Sequence, residues 1–344
     1  MSTVKNPFVS VVIPVREINY FLLFENLPAF LRQEFKNFEV IVLPNEHTQY
    51  DLELFKKYSW LRIIPSGKIT RPAEKRDLGV KNAKGEIIAF IDDDGYPDPL
   101  WLKTAVTLFK EKKGGAICGP GVIPPNSTFW EQVFDAVLQS PLGSGKYTYR
   151  FTPQKTRFVD DYPSMNFLIE KKLFENLGGF NSDYWPGEDS KLCNDLVYKE
   201  NRKIYYHPDV RIYHHRRNNV RNYLEQQGQY GFHRGVFFAE GDKNSQRLVY
   251  LIPTMFVLYL VSVFFVFVFQ RGHLLSPFFD LVYIPAIIYM LCIIWLCFTS
   301  FIKSGSIMIA LATAPILFLT HLLYGIMFIK GFVKKAIQKQ GIYD

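Results

Sequence analysis

Three long apolar stretches in the last third of the chain constrain its fold most strongly. They run from about Leu248 to Gln270, from Leu281 to Ile302 and from Ser306 to Ile329. About 20 apolar residues are enough for a helix to cross the hydrocarbon core of a bilayer. A buried core helix could explain one such stretch, but not three in succession. The sequence therefore predicts about three transmembrane helices over residues 248–330, after a soluble part of mixed composition.

Basic residues flank the apolar region and suit a membrane surface better than nucleic acid. The formal net charge of the chain is +8, and basic residues cluster just before the first apolar stretch and after the last. Lys and Arg in such positions are attracted to anionic lipid of the cytoplasmic leaflet. We therefore predict interfacial helices over residues 218–247 and a basic tail over residues 331–344.

The location of the soluble part follows from the absence of a signal sequence. The segment before Phe8 carries one Lys and lacks a long apolar core, so we expect a cytoplasmic domain and a multi-pass protein of the inner (plasma) membrane. Three spans would place the basic tail outside, whereas the positive-inside tendency would keep it inside. Either the tail overrides the tendency, or one apolar segment is re-entrant or split.

The soluble part alternates short apolar runs with helical patterns. Phe8–Pro14, Phe38–Leu43, Leu61–Ile64 and Ile87–Ile91 are typical of buried strands, and residues 71–83 are typical of a helix opened by a proline. Such alternation predicts a parallel sheet with crossover helices. Residues 140–160 are rich in Gly, Pro and basic residues without a period, which predicts a mobile loop.

Three consecutive aspartates, Asp92, Asp93 and Asp94, follow the strand Ile87–Ile91 and precede a Gly- and Pro-containing turn. Carboxylates crowded at a strand end repel one another, and a hard divalent cation commonly offsets that repulsion. In an open α/β sheet, ligands bind outside the carboxyl ends of the strands. The triplet therefore indicates a site for Mg²⁺ or Mn²⁺, although Asp-rich turns also occur simply because they are well solvated.

A second acidic pair, Glu188 and Asp189, ends the string GGFNSDYWPGED and begins a predicted helix. Acids in a first helical turn often only cap free amides and offset the helix dipole. Here the pair follows an aromatic, Gly-rich approach that includes Trp185. Aromatic faces commonly hold sugar rings, and a carboxylate beside them can take a proton from a hydroxyl. Asp189 is thus a candidate base, and Trp185 and Glu188 are candidate acceptor contacts.

Together these blocks resemble the family 2 glycosyltransferases. The resemblance covers residues 8–217 and rests on VSVVIPV, RPAEKRDLGVKNAKGEIIAFIDDDGYP, GGFNSDYWPGED and the distances between them. It implies an α/β domain of the GT-A nucleotide-sugar-binding fold over residues 1–217, Rossmann-like with a mostly parallel sheet. It also implies that Asp92 and Asp94 lie at the metal, with Asp94 as the more direct ligand, and that Asp189 is the catalytic base.

The resemblance is weaker where the donor nucleotide would bind. Val15-Arg16-Glu17 and Pro44-Asn45-Glu46 replace residues that are common in the family, and the Gln-x-x-Arg-Trp signature of its processive members is missing. Lys75 and Arg76 could pair with phosphate or could lie on a solvated helix face. The candidate donor contacts are Pro14, Glu17, Asn45, Lys75, Arg76, Asp92 and Asp93.

Two histidines, His214 and His215, follow a short predicted strand. One of them could complete the metal shell or meet the diphosphate, since His is a common ligand of transition metals. The alternative is a basic surface cluster near lipid. We take His214, with Asp92 and Asp94, as the predicted metal set.

The sequence thus predicts a membrane-bound inverting glycosyltransferase that moves one sugar in surface polysaccharide or glycan synthesis. Its expected partners are a nucleotide-sugar donor, a lipid-linked (polyprenyl) acceptor and the membrane, with Mg²⁺ or Mn²⁺ as cofactor and no nucleic acid; a homo-oligomer is left open. One alternative is a polyprenyl-phosphate monosaccharide synthase. A second, of another class, is a non-catalytic, membrane-anchored sugar-binding or transport subunit.

Overall fold

The computed structural model describes residues 8–47, 51–180, 184, 186–271 and 277–339. These residues fall into two compact units. One comprises Met1–Pro124 with Tyr149–His215, and the other Pro125–Thr148 with Arg216–Asp344. The domain prediction from sequence placed residues 125–148 with the first unit, whereas they pack with the second.

The strands belong to the first unit, and the bounds of the first four agree closely with the four apolar runs of the sequence. They are β1 (Val9–Pro14), β2 (Phe38–Leu43), β3 (Leu61–Ile63), β4 (Ile87–Ile91), β5 (Gly95–Pro97), β6 (Ala116–Cys118), β7 (Gly121–Val122), β8 (Arg157–Val159), β9 (Asn166–Glu170), β10 (Ile204–Tyr206) and β11 (Ile212–His214).

The helices are distributed over both units, and a π-helical turn, Leu22–Asn26, precedes the first of them. They are α1 (Leu27–Leu31), α2 (Asp51–Lys57), α3 (Pro72–Asn82), α4 (Trp101–Lys110), α5 (Phe129–Leu138), α6 (Pro141–Ser144), α7 (Lys171–Asn176), α8 (Glu188–Tyr198), α9 (Val220–Glu240), α10 (Ile252–Arg271), α11 (Ile284–Ser304) and α12 (Ile307–Lys339). Short 3₁₀ helices cover Gly145–Arg150, Leu248–Leu251 and Pro277–Tyr283.

The larger sheet has eight strands within the described residues, in the order β3-β2-β1-β4-β9-β6-β10-β8. Strands β3, β2, β1 and β4 pair in parallel, as do β6 and β10. Strand β9 lies antiparallel between β4 and β6, and β8 pairs antiparallel with β10. Parallel pairing therefore predominates, and the predicted α/β fold is confirmed.

The central strands form because most of their residues are apolar, on both faces. Every residue of β1, β2 and β4 is buried, as expected for parallel strands covered by helices on both sides. Because β2, β1 and β4 are adjacent and parallel, their carboxyl ends meet at one edge of the sheet. The residues that follow these strands, among them Asn45, Val15 and Asp92, therefore lie at the same edge.

A smaller sheet of β5, β11 and β7 extends this edge. Strand β11 pairs antiparallel with β5, which places His214 opposite Gly95, and parallel with β7. The paired strands are also joined through side chains, since Arg211 donates to Asp98 Oδ2 at 2.6 Å. Strand β11, which lies about 120 residues downstream of β5, is thereby fixed beside the loop that follows β4.

The mobile loop predicted over residues 140–160 is wrong, because this stretch contains α6, a 3₁₀ helix and β8. In the second unit, the Tyr147 ring stacks on Tyr250 with centroids 5.6 Å apart. In the first unit, the Tyr149 ring packs edge-on against Tyr206 at 5.0 Å. Buried aromatic packing thus orders a segment whose Gly and Pro content suggested a loop.

The second unit is helical, and α5 packs against its longer helices. A capping box between Thr128 and Glu131 begins this helix. Its buried face packs against residues of α9, α11 and α12 in one apolar cluster. The members of that cluster are Val133, Phe134, Val137, Tyr223, Ile293, Leu296, Ile309, Ile316 and Leu317.

Three helices in the described residues are long and apolar enough to cross a membrane: Leu248–Phe269, Asp280–Ser304 and Ile307–Gln338. They agree with the three apolar stretches of the sequence. The last one continues through residues 331–339, so the first part of the predicted basic tail is helical. This assignment rests on length and composition.

Helix α9, in the predicted interfacial region, packs along α12 through glycines. A Cβ atom on Gly231 would lie 2.5 Å from the Tyr324 carbonyl oxygen, and one on Gly235 would lie 2.2 Å from that of Phe328. Small residues allow two helix backbones to approach this closely, as is common for helices within membranes.

Gly231→Ala should lower the stability of the second unit by roughly 1–3 kcal/mol, because its methyl group would meet the rigid backbone of α12. Gly228→Ala is the matched control on the same helix face. Its methyl group would meet only flexible side chains, those of Leu323 at 3.3 Å and Met327 at 3.6 Å. Alanine favours a helix over glycine by about 0.5–1 kcal/mol, so this control should be neutral or stabilising. Thermal unfolding in detergent compares the two; equal midpoints would contradict the packing.

Candidate active site

The aspartate triplet and His214 are brought together by the two sheets. Asp92, Asp93 and Asp94 follow β4, and the pairing of β5 with β11 places His214 beside them. Gly95 permits this approach, since an added Cβ would lie 3.3 Å from the Tyr213 carbonyl oxygen and 3.4 Å from the His214 ring. The turn glycine after the aspartates thus lets a distant strand come close.

Asp92, Asp94 and His214 form a group suited to a metal ion. His214 Nε2 lies 3.2 Å from Asp94 Oδ1 and 3.7 Å from Asp92 Oδ2, and one ligand atom from each residue lies within 4.8 Å of the others. Both His214 ring nitrogens are buried, and apart from these two carboxylates neither has a partner within the described part of the chain. Buried polar atoms normally have partners. Two carboxylates with one imidazole fit Mn²⁺, and the carboxylates also fit Mg²⁺.

Arg76 joins the two acidic regions that the sequence singled out separately. This buried side chain of α3 donates from Nη2 to Asp92 Oδ1 at 2.7 Å, and its Nη1 lies 3.5 Å from Glu188 Oε1. Burial alone would raise the pKa of Asp92, but the neighbouring Arg76 and His214 outweigh it and lower that pKa. Asp92 is thereby kept ionised, which is the state that metal binding would require.

Glu188 and Asp189 begin α8, where Gly187 adopts a φ of +129°. Asp189 accepts hydrogen bonds from the backbone and the hydroxyl of Ser164. Burial raises the pKa of Asp189 despite the opposing charge of Arg76. Burial and the charge of Asp189 likewise raise the pKa of Glu188. A raised pKa makes a carboxylate a stronger base, which suits proton transfer from a hydroxyl.

A polar network missed by the sequence analysis supports the start of α8. Asp161 is buried and accepts from the Ser190 hydroxyl at 2.9 Å, while Arg150 donates to the Asp161 carbonyl at 2.7 Å. Together with Ser164, these groups fix the segment before β9 against Asp189. The string DDYPS at residues 160–164 contains turn-forming residues but no motif that points to a site.

The candidate donor residues of β1 and β2 meet at Lys75. Its ammonium donates to the Val15 carbonyl at 2.6 Å and to Asn45 Oδ1 at 2.5 Å, which ties the ends of the two strands together. Pro14 is the last residue of β1, and Glu17 is exposed in the segment that follows it. Burial lowers the pKa of Lys75. Lys75 thus lies at the predicted donor edge, not on a solvated helix face.

The remaining predicted residues do not belong to the group formed by Asp92, Asp94 and His214. Asp93 accepts from Asn19, and burial together with the charge of Asp94 raises the pKa of Asp93. His215, the other histidine considered for the metal shell, has its Nε2 2.9 Å from Glu25 Oε2 instead. Trp185, the predicted acceptor contact, lies outside the described residues.

Comparison with known proteins assigns this domain to a family. The model of the family described as "Glycosyl transferase family 2" matches residues 10–178. These residues belong to glycosyl transferase family 2. The glycosyltransferase activity and the GT-A fold that the sequence predicted are thereby confirmed.

Named relatives include a dolichyl N-acetyl-alpha-D-glucosaminyl phosphate 3-beta-D-2,3-diacetamido-2,3-dideoxy-beta-D-glucuronosyltransferase from Methanococcus voltae. It is 22% identical over 267 residues, covering 74% of this glycosyltransferase and 81% of the relative. A pre-mycofactocin glycosyltransferase of Mycobacterium tuberculosis is 25% identical over 167 residues, covering 46% of this chain. This chain spans only 33% of that second relative's length.

A solved structure shares the fold of this glycosyltransferase. It is the mannosyltransferase PcManGT from Pyrobaculum calidifontis, determined in complex with GDP-Man and Mn²⁺. The TM-score is 0.53 at 17% identity, and the match covers 98% of this chain and 89% of the other. Similarity at this level supports the GT-A fold and says nothing of the sugar.

Replacing Arg76 should destabilise the first unit, because buried carboxylates would lose their counter-charge. Removing one partner of a buried ion pair costs about 3–5 kcal/mol, which is the loss expected for Arg76→Met. Adding Glu188→Gln should recover part of that loss, since one buried charge is removed. The exposed Lys81 of the same helix is the control, and Lys81→Met should change stability by less than about 0.5 kcal/mol. Chemical denaturation measures all three; equal losses at positions 76 and 81 would contradict the role of Arg76.

Proposed function

We propose that the protein is a membrane-bound inverting glycosyltransferase that transfers one sugar from a nucleotide-sugar donor to a hydroxyl of a lipid-linked acceptor. Asp92, Asp94 and His214 hold Mg²⁺ or Mn²⁺ on the donor side, and Asp189 is the base. Lys75 and Asn45 lie at the donor edge of the sheet. The catalytic domain is cytoplasmic, and the chain is anchored in the inner membrane by its apolar helices.

The observation that carries this proposal is the bridge formed by Arg76. One guanidinium contacts Asp92 of the metal group and Glu188 beside Asp189. The metal group and the candidate base are therefore parts of one site. A site of this kind needs a cation at the leaving diphosphate and a base near the acceptor hydroxyl, and both elements meet at Arg76.

The reaction follows from these positions. Asp189, hydrogen-bonded to Ser164, takes the proton of the acceptor hydroxyl while the hydroxyl oxygen attacks the anomeric carbon. The new carbon–oxygen bond forms on the face opposite the bond to the diphosphate, so the configuration inverts. The bond to the diphosphate breaks, and both of its electrons leave with the diphosphate. A bound divalent cation would neutralise the charge that develops on the leaving diphosphate. Arg76 holds Asp92 in place and ionised throughout.

Two observations favour a lipid-linked acceptor. Three helices of this chain are long and apolar enough to cross a membrane. The relative from Methanococcus voltae is named for a dolichyl-linked acceptor, and the alignment covers 81% of that protein. A membrane-anchored enzyme meets a lipid-linked sugar in the plane of the bilayer, as in the assembly of surface polysaccharides or glycans.

Asp94→Asn should abolish metal binding and reduce transfer strongly, because charge stabilisation by a metal is worth several kcal/mol, or about a hundredfold or more in rate. Asp209→Asn, at an exposed carboxylate before β11, is the control and should transfer normally. The protein is first tested for Mn²⁺-dependent stabilisation against unfolding by each of a panel of nucleotide sugars. Sugar transfer is then measured with the donor that binds. Full activity of Asp94→Asn would refute the metal assignment. Failure of every nucleotide sugar to bind with Mn²⁺ would favour the non-catalytic sugar-binding or transport alternative.

Asp189→Asn should lower kcat by about 10²- to 10⁴-fold while donor affinity is retained, because only the proton acceptor is lost. Asp195→Asn, on the same helix and paired with Lys199, should leave kcat unchanged. Single-turnover transfer to a polyprenyl-linked sugar measures the effect. A polyprenyl-phosphate acceptor is already ionised and has little need of a base. Undiminished activity of Asp189→Asn would therefore favour the monosaccharide synthase.

A further inference from the structure

Asn19 and Asn26 contact the aspartate loop (residues 92–95), although neither belongs to the predicted metal set. Asn19 donates to Asp93 Oδ2. The same side chain accepts from the Leu22 amide at 3.0 Å, so it also caps the helical segment that leads into the π-helical turn Leu22–Asn26. One amide side chain thereby joins the middle of the aspartate loop to the start of this turn.

Asn26, at the end of the turn, fixes the two ends of the loop. Its side chain is fully buried and donates to the Gly95 carbonyl and, at 3.4 Å, to that of Asp92. These carbonyls lie on either side of Asp93 and Asp94. Because the backbone is held at both ends, the two outer carboxylates have a fixed separation.

Glu25, the residue before Asn26, holds the strand that carries His214. Its Oε2 atom lies 2.9 Å from His215 Nε2, and the Phe21 ring lies 4.4 Å from the His215 ring. The His215 amide donates to the Asp94 carbonyl at 3.1 Å. Since His214 and His215 are adjacent, holding His215 limits where the His214 ring can lie relative to Asp94.

The π-helical geometry lets one short turn make all of these contacts. The Leu27 amide donates to the Leu22 carbonyl, so the turn contains one residue more than an α-helical turn. Asn26 reaches the aspartate loop and Glu25 reaches His215 at the end of its partner strand, while Phe24 is 64% exposed. π-Helical turns are rare and occur frequently at functional sites.

We propose that Asn19, Glu25 and Asn26 form a positioning clamp that sets the spacing of Asp92, Asp94 and His214 for the metal ion. The clamp rests on the proposed metal site and adds three positioning residues to it. None of the three is a ligand: Asn19 and Asn26 act through the loop backbone and Asp93, and Glu25 acts through His215. Residues that orient metal ligands in this way typically change metal affinity about 10- to 100-fold when they are replaced.

The test is Mn²⁺ affinity of the full-length protein in detergent, measured from the free-Mn²⁺ signal by electron paramagnetic resonance. Glu25→Ala should weaken binding by about tenfold or more, because His215 loses its anchor. Glu25→Gln should recover most of the affinity, since its amide oxygen still accepts a hydrogen bond from His215. Phe24→Ala, on the exposed side of the same turn, is the matched control and should bind Mn²⁺ as tightly as the wild type.

Thermal unfolding without metal separates positioning from folding. Glu25→Ala should unfold near the wild-type midpoint while its Mn²⁺-induced rise in midpoint shrinks. If Glu25→Ala fails to fold, Asn19→Ala, whose side chain is partly exposed, replaces it with the same expected loss of affinity. Wild-type affinity in a folded Glu25→Ala or Asn19→Ala variant would overturn the clamp. Absence of Mn²⁺ binding by the wild-type protein would overturn the proposed metal site itself, which is a different result.

Discussion

The buried guanidinium of Arg76 is the interaction on which the rest of the site depends. Four carboxylates, those of Asp92, Asp94, Glu188 and Asp189, are gathered from two segments that lie almost 100 residues apart. Like charges at such a density would repel one another and destabilise the folded chain. Arg76 contacts one carboxylate of each pair and stacks near the Phe180 ring, with its guanidinium carbon 5.7 Å from the ring centroid. It therefore lets a site of high negative charge exist inside the protein.

Much of this arrangement could be predicted from the sequence, because its main parts coincide with strong local patterns. The strands β1, β2 and β4 are mostly apolar runs, and the triplet at residues 92–94 stands directly after one of them. Parallel pairing then brings the strand ends together without further information. The glycosyltransferase family followed from the same blocks.

The remaining parts could not be predicted, because they depend on contacts between polar residues far apart in the chain. Asn26 and Glu25 lie in an apolar helical pattern. Nothing in that pattern marks Asn26 as a partner of a loop about 70 residues away, or Glu25 as a partner of a histidine 190 residues away. Ser164 and Asp161 are likewise ordinary turn residues until α8 packs against them. Helix α5 was not predicted, although its capping box and the helical spacing of its buried residues are local signals; its packing with the second unit depends on the apolar helices there. Tertiary contact, more than local propensity, decides such segments.

One turn of α3 has a consequence for how this sequence can change. Lys75, Arg76 and Asp77 are consecutive, and each serves a different part of the first unit. Lys75 holds the ends of β1 and β2, Arg76 bridges the acidic pairs, and Asp77 accepts from the Phe180 amide at 3.0 Å. Successive residues of a helix point about 100° apart, so these three cover more than half of its circumference. A one-residue insertion or deletion within this helix would misdirect all three side chains at once. A change of length within this helix before Asp77 should therefore be tolerated less well than one in a surface loop.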